Sequence, residues 1–288
     1  MEQIETFLIS SGEQIVLALK ALAPPFAFFT TLAILLKKKA VFDDLRRVLP
    51  ETRLNIQIAL LDIVAVLPVI ALVSTALADA LQRLGLIIVS SDFWGVLPAV
   101  IVVILAVLAG DIIGYWRHRL EHTPLLWPSH AVHHSDTEMT WITLLRFHPI
   151  NRLSTFVIDS GLLMMLGFPV YAVVANNLVR HYYGYLIHAD LPWTYGELGK
   201  VFVSPVMHRW HHAADPVAFG TNYATVFAFI DRMFGTWRVP GLCHVALGVT
   251  DDMAPTLAGQ MFYAFRPRAY RRLFRGLRAK SGTGRDGK

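Results

Sequence analysis

The chain has 288 residues, 55% of them hydrophobic and only 16% charged, whereas soluble domains average about 45–50% apolar and about 25% charged. Its mean hydropathy of +0.47 argues against an ordinary soluble domain, and the placement of its net charge of +5 argues against nucleic acid as a partner. Its single cysteine, Cys243, excludes an internal disulfide and a cysteine-built metal site, and reads as a small buried apolar residue.

The first apolar segment is predicted to span a bilayer over 14–36. It follows the acids Glu2, Glu5 and Glu13 rather than a basic stretch, so a cleaved signal peptide is not expected. Pro24-Pro25 predicts a kink or break within it. Further spans are predicted at 54–78, where Asp62 is the only charge from 54 to 77, and at 93–116, uncharged from 93 to 110. Such runs match the roughly 20 residues of a bilayer-crossing helix. Two shorter segments, 153–166 and 169–187, are parted by Gly167-Phe168-Pro169 and predict a helical hairpin dipping deep into the membrane.

Orientation follows from basic residues. The connection after the first span carries Lys37, Lys38, Lys39, Arg46, Arg47 and Arg53; the next carries only Arg83, against Asp79 and Asp92. The first connection is therefore assigned to the cytoplasm. Counting spans brings Arg117, and everything from His188 onward, to the same side. The tail 266–288, with nine Lys or Arg against Asp286, agrees. The expected fold class is all-α, an integral membrane helical bundle with a cytoplasmic helical cap. The expected divisions are a transmembrane region over 1–92, a histidine-bearing region over 93–245 and a basic tail over 246–288.

Eleven of the twelve histidines fall between 118 and 212. Eight form three patterns: His118-x3-His122, His130-x2-His133-His134 and His208-x2-His211-His212. Residues three or four apart share a helical face, so each pattern aims two or three imidazoles together. Asp111, Tyr115, His118 and His122 lie at i, i+4, i+7 and i+11 on one face, and Pro124 and Pro128 end that helix. Ser129 is the predicted N-cap of the second cluster's helix. Ser204-Pro205 is the predicted start of the third, which Asp215-Pro216 closes. Eight or nine histidines exceed the coordination of one ion, so two metals are the economical reading. Imidazole suits iron, zinc, copper and nickel. The Glu-x-x-His pairs of soluble di-iron bundles are absent.

At these residues the sequence resembles the fatty acid hydroxylase and sterol desaturase superfamily. The matching stretches are DIIGYWRHRLEH (111–122), LWPSHAVHHS (126–135), RFHP (146–149), SPVMHRWHH (204–212) and NYATVFAFIDRMFGTW (222–237). The resemblance implies two iron ions held by His118, His122, His130, His133, His134, His208, His211 and His212, with His188 completing the set. It also implies O2 as co-substrate and hydroxylation or desaturation of a membrane lipid, and it makes 93–245 the catalytic region. No nucleotide fingerprint or haem attachment motif is present, so electrons are expected from a separate ferredoxin or b-type cytochrome with its reductase.

His181, seven residues before His188, is a tenth candidate. His148 resembles a position next to the ligands rather than among them, and His244 reads as ordinary. Asp111 is expected to accept an imidazole N–H and orient a ligand. Asn222 matches a supporting position of the family, and Asp231 and Arg232 are expected to pair structurally. Asp62 and Asp159, in apolar segments, read either as functional groups or as ion pairs within the bundle. Three rival functions remain at this level: ether-lipid cleavage following hydroxylation, a membrane metal transporter and a zinc hydrolase.

Overall fold

The computed structural model of the chain describes residues 2–271, with side chains from residue 16 onward; residues 272–288 of the basic tail lie outside the described residues. α1 (Glu2–Lys37) runs unbroken through Pro24-Pro25, so the expected break does not occur. Prolines are tolerated in apolar spanning helices where neighbouring helices, side chains or small local adjustments satisfy the backbone groups they free. Lys38, at φ 51°, reverses the chain. A 3-10 turn, Lys38–Ala40, leads into α2 (Val41–Leu61), which packs back along α1. The π-turn Asp62–Val66 then joins α2 to α3 (Leu67–Arg83). This wide turn comes just before Pro68, which has no N–H to donate and whose ring would press on the preceding turn.

After α4 (Ser91–Gly95), α5 (Ala99–Glu121) is the second long apolar helix. α6 (Trp127–His134) follows, then α7 (Pro149–Thr155), which continues through the π-turn Phe156–Ser160 into α8 (Gly161–Met165). α9 (Val170–His188), α10 (Pro205–His211), α11 (Ala228–Met233) and α12 (Leu257–Tyr263) complete the order. No strand forms among the described residues; Ala213 and Leu247 make one isolated bridge. Two stretches, Val16–Arg83 and Ala99–Glu121, are long and apolar enough to cross a membrane. Their outer faces carry bare apolar side chains, among them Leu17, Leu19, Phe26 and Phe28 on α1 and Val100 and Ile104 on α5. An uncovered apolar face suits lipid better than water.

The bundle has two distinct ends. At one, Ile88 N–H donates to Met165 C=O at 2.7 Å and the Trp94 indole donates to Leu166 C=O at 3.0 Å. The turn there needs Gly167, at φ 69°, because a Cβ would sit 1.9 Å from the Val89 carbonyl oxygen. At the other end Lys37 bonds Asp44 at 2.5 Å and Asp190 at 2.6 Å, gathering the end of α1, the start of α2 and the end of α9. The histidines at the C-terminal ends of α5 and α9 share this end with the basic residues Lys37 to Lys39, Arg46 and Arg47.

Charges within the apolar helices are paired. Arg152 makes a forked contact with Asp62 at 2.7–3.2 Å. Asp159 takes Arg117 at 2.8 Å and Arg180 at 2.7 Å. Pairing offsets part of the cost of removing each charge from water. Arg180 reaches Asp159 across α5 only because residue 114 is glycine: a Cβ there would lie 1.9 Å from its Nη2.

α10, α11 and the loop between them pack on α5 and α9 through a buried cluster of Tyr115, Ile187, Val203, Met207, Tyr223 and Ile230. Burying a side chain of that size contributes about 1.5–3 kcal/mol. Ser204 caps α10 as expected, accepting from Met207 N–H at 3.1 Å. Ser129 does not cap α6, which begins two residues earlier at Trp127 with Pro128 in its first turn, where a missing N–H costs nothing. Asp231 and Arg232 do not pair. Asp231 accepts Tyr223 N–H, Ala224 N–H and the Thr236 hydroxyl, while Arg232 lies at the surface, because adjacent helical residues point apart.

Candidate metal centre

α5 supplies His118 and, one residue past its end, His122; α6 supplies His130, His133 and His134; α9 ends on His188; and α10 with its C-cap supplies His208, His211 and His212. All nine converge, and they sort into two groups. His118, His122, His130, His134 and His211 form one; His133, His188, His208 and His212 form the other. Within each, one nitrogen per ring lies within 4.8 Å of all the rest. The sorting follows from helix geometry. In His-x2-His-His the first and last residues are four apart and share a face, while the middle one is turned about 100° from the last. Each triplet therefore gives two rings to one group and one to the other: α6 sends His133 across, and α10 sends His211.

The ring nitrogens carry a second regularity. Nδ1 of His118 donates to Tyr223 C=O (2.8 Å), of His133 to Arg146 C=O (3.3 Å), of His188 to Gly184 C=O (2.7 Å) and of His211 to Thr221 C=O (2.8 Å). His130 Nδ1 faces Asn151 Oδ1 at 3.2 Å. With the proton held on Nδ1, each Nε2 presents a lone pair, and the lone pairs face one another. In the five-histidine group His118 Nε2 lies 3.0 Å from that of His130 and 2.9 Å from that of His211. In the four-histidine group His188 Nε2 lies 3.1 Å from that of His133 and 2.9 Å from that of His208.

Facing lone pairs repel unless something electrophilic lies between them. Metal–nitrogen bonds of about 2.1 Å set neighbouring donors about 3 Å apart, so the spacing fits one ion per group. His122 Nε2, buried without a hydrogen-bond partner, fits the same reading. Burial, reinforced by repulsion between imidazoles, holds His122, His133, His134, His208 and His212 well below the ordinary histidine pKa. Burial takes His130 to about 3 and His211 to about 4. These rings are neutral near pH 7, as metal ligands must be.

Behind the five-histidine group stands a buried polar chain. Asn151, whose Oδ1 faces His130, donates through Nδ2 to Glu121 at 2.5 Å. Glu121 also accepts Arg117 at 2.5 Å, and Arg117 leads on to Asp159 and Arg180. Behind the other group, Arg146 is buried between Glu51 and Asp136, while Asn55 and Thr143 also donate to Asp136. This second network ties α2 to the segment whose carbonyl holds His133. Sequence reading missed Asn151, Glu121 and Asp136 as supports. Asn151 is three residues beyond His148 in a stretch already singled out, and Glu121 sits between two candidate ligands. Nothing local marks Asp136.

The expected supporting residues take different roles. Asp111 touches no imidazole; it is fully buried and accepts the N–H groups of Thr225, Val226 and Phe227 at 2.7–3.0 Å. The loop it anchors continues from 221–223, whose carbonyls hold two of the nine rings, so its support is one step further out. Asn222, at φ 62°, sits between the two accepting residues Thr221 and Tyr223. A left-handed residue there lets both flanking carbonyls face the rings, and asparagine tolerates that conformation better than most. Its side chain donates to Met207 C=O and Arg238 C=O, pinning α10. His148 touches no ligand either: it caps α7 through Ile150 N–H and donates to Met261 C=O. His181 bonds the Tyr185 hydroxyl and stands outside both groups.

Residues 103–236 match the fatty acid hydroxylase family. Among curated proteins, the chain is 30% identical over 178 residues to an ornithine lipid hydroxylase of Rhizobium tropici, covering 61% of this chain and 54% of that one. It is 31% identical over 172 residues to an alkylglycerol monooxygenase of Danio rerio, 59% of this chain and 38% of that one. It is 27% identical over 148 residues to a Delta(7)-sterol 5(6)-desaturase of Gibberella zeae, 48% and 42% respectively. The chain thus covers little more than half, or less, of the length of these relatives. No solved structure gave a significant match.

Proposed function

We propose that the chain belongs to the fatty acid hydroxylase family, whose model matches residues 103–236, and that it is a membrane di-iron enzyme that hydroxylates or desaturates a C–H bond of a membrane lipid with O2. The observation that carries this reading is the sorting of nine neutral imidazoles into two converging groups at one end of an apolar helical bundle. Two iron ions held there would supply O2 activation and attack on an unactivated C–H bond. This chain's residues do the rest. The backbone carbonyls at Gly184, Arg146, Thr221 and Tyr223 fix ring orientation and keep each proton on Nδ1. Burial of all four rings of the four-histidine group, His133, His188, His208 and His212, keeps water from it.

An apolar cavity of about 350 Å³ supports an alkyl substrate. It lies between α1 and α2, lined by Leu22, Phe26, Ala59, Ile63, Trp141 and Leu145 among others. Two residues along the chain from Leu145, which lines it, the Phe147 ring stacks on His133 at 4.8 Å. The basic residues at the histidine end favour a cytoplasmic centre, within reach of a soluble ferredoxin or a b-type cytochrome with its reductase.

A second reading, oxidation of an ether lipid, is favoured by the similarity to alkylglycerol monooxygenase. A transporter would hold its ligands mid-membrane, whereas these stand at helix ends, and a zinc hydrolase differs in its metal. The test is metal analysis of anaerobically purified protein, with lipid extracts compared with and without the chain under oxygen. Iron near two per chain and a lipid that gains one oxygen or loses two hydrogens are expected; zinc alone, with no oxidised lipid, refutes the proposal. Appearance of a free aldehyde selects the ether reading.

A further inference from the structure

The two histidine groups differ in their access to the outside. A cavity of about 130 Å³ opens against the five-histidine group, its floor formed by His122, His134 and His211. Its mouth is formed by Phe219, Gly220 and Thr250, all exposed, and Val249 makes a side wall. No member of the four-histidine group lines it. It shares no residue with the apolar cavity between α1 and α2.

We infer that this cavity is a binding chamber for a small exogenous ligand of the dioxygen or azide class at the five-histidine group, entered from the cap side. The alkyl substrate enters separately from the bilayer. The inference rests on the proposed metal-binding function and adds to it which group takes the small ligand and by what route. Three features carry it. First, the volume corresponds to about four waters at about 30 Å³ each, so two- or three-atom molecules fit and a lipid chain does not. Second, no lysine, arginine, aspartate or glutamate lines the space, so nothing selects a large charged group. Third, the three imidazoles at the floor all belong to one group and none of the other group lines the space, so a ligand in the chamber meets the five-histidine group first.

The floor is rigid and the mouth is not crowded. His211 is fixed through Nδ1 to Thr221 C=O, and the His134 ring stacks on His212 at 4.3 Å. At the mouth, Phe219 is half exposed, so its ring narrows the opening without being part of the core. Changing it alters the width of the opening while leaving the floor as it is.

The test uses azide as probe on the full chain, purified and loaded with iron in detergent, with binding read from the optical change. Val249→Trp narrows the chamber and is expected to weaken azide binding at least tenfold with iron content unchanged. Phe219→Ala widens the mouth and is expected to speed azide association several-fold. Ile142→Trp, in the wall of the apolar cavity, is expected to leave azide binding as in the parent. Parental azide affinity in Val249→Trp together with a parental association rate in Phe219→Ala overturns the chamber, and so does loss of azide binding in Ile142→Trp alone. If Val249→Trp fails to fold or load, the rate in Phe219→Ala decides. A parent protein that loads no metal instead overturns the function proposed above, and the chamber with it.

Discussion

Replacement of Asp111 by asparagine tests how the loop 221–227 holds the histidine rings. The carboxylate accepts Thr225 N–H on one oxygen, at 3.0 Å, and Val226 and Phe227 N–H on the other, at 2.9 and 2.7 Å. Asparagine keeps its single oxygen for the latter pair. Its amide then faces two donors, the Thr225 N–H and the Arg180 guanidinium 3.6 Å from the first oxygen. A hydrogen bond to a charged group contributes about 1.5–3 kcal/mol, and an unsatisfied buried donor adds a cost of about 1–3 kcal/mol. We expect Asp111→Asn to lose about 3–5 kcal/mol, a large part of the about 5–15 kcal/mol that stabilises a typical domain. The loop it releases continues into Tyr223 and Thr221, whose carbonyls hold His118 and His211. Thermal unfolding in detergent should therefore move to lower temperature, and the proposed iron content of about two per chain should fall toward one, since the four-histidine group takes no acceptor from this loop. A variant that melts with the parent and keeps its full iron complement would show that the carboxylate does not hold the loop.

Three further outcomes follow from the same geometry. Asn151→Ala removes the acceptor of His130 and one donor to Glu121, and should weaken iron binding by about 10–100-fold, the usual effect of losing an outer partner of a ligand; a competition titration with a chelator reads it, and unchanged affinity counts against the chain behind the five-histidine group. Burial lowers the folded-state pKa of His130 to about 3 and of His211 to about 4, below the unfolded value of 6.5. The unfolded chain then binds more protons between these values, so the metal-free protein is most stable above pH 6.5 and loses about 1.4 kcal/mol per such group per pH unit on acidification through that window. Unfolding curves from pH 7 to 4 check the sign, and stability that rises on acidification contradicts it. Gly114→Val drives a side chain into Arg180 and should destabilise the bundle by at least the about 1–3 kcal/mol of core overpacking, read as a lower melting temperature; a neutral result would mean that α5 and α9 do not approach closely there.

The histidine pattern was legible because it is local. Spacings of three and four residues place imidazoles on helical faces wherever a helix forms, and Ser204-Pro205 and Gly167 mark a start and a turn by backbone chemistry alone. The apolar runs were equally plain. The misreadings share a physical cause. The Asp111 carboxylate shares the helical face of His118, but sequence cannot say that the loop 225–227 comes within reach first. Asp231 and Arg232 are adjacent, and only their environments show that one is buried against amides and the other lies at the surface. Ser129 has capping chemistry, but Pro128 takes the first turn before it.

By itself, the amino-acid sequence determined the helices, the uncharged stretches and the three clusters with their neutral-ligand chemistry, since each depends on residues within one or two turns. Only the tertiary structure decided that His133 joins His188, His208 and His212 while His211 joins the other five-membered set. It also decided that Asn151, Glu121, Asp136 and Arg146 stand behind them. These contacts join residues about 10 to 95 positions apart and arise from how α2, α5, α6, α9 and α10 meet at one end of the bundle, which no local spacing encodes.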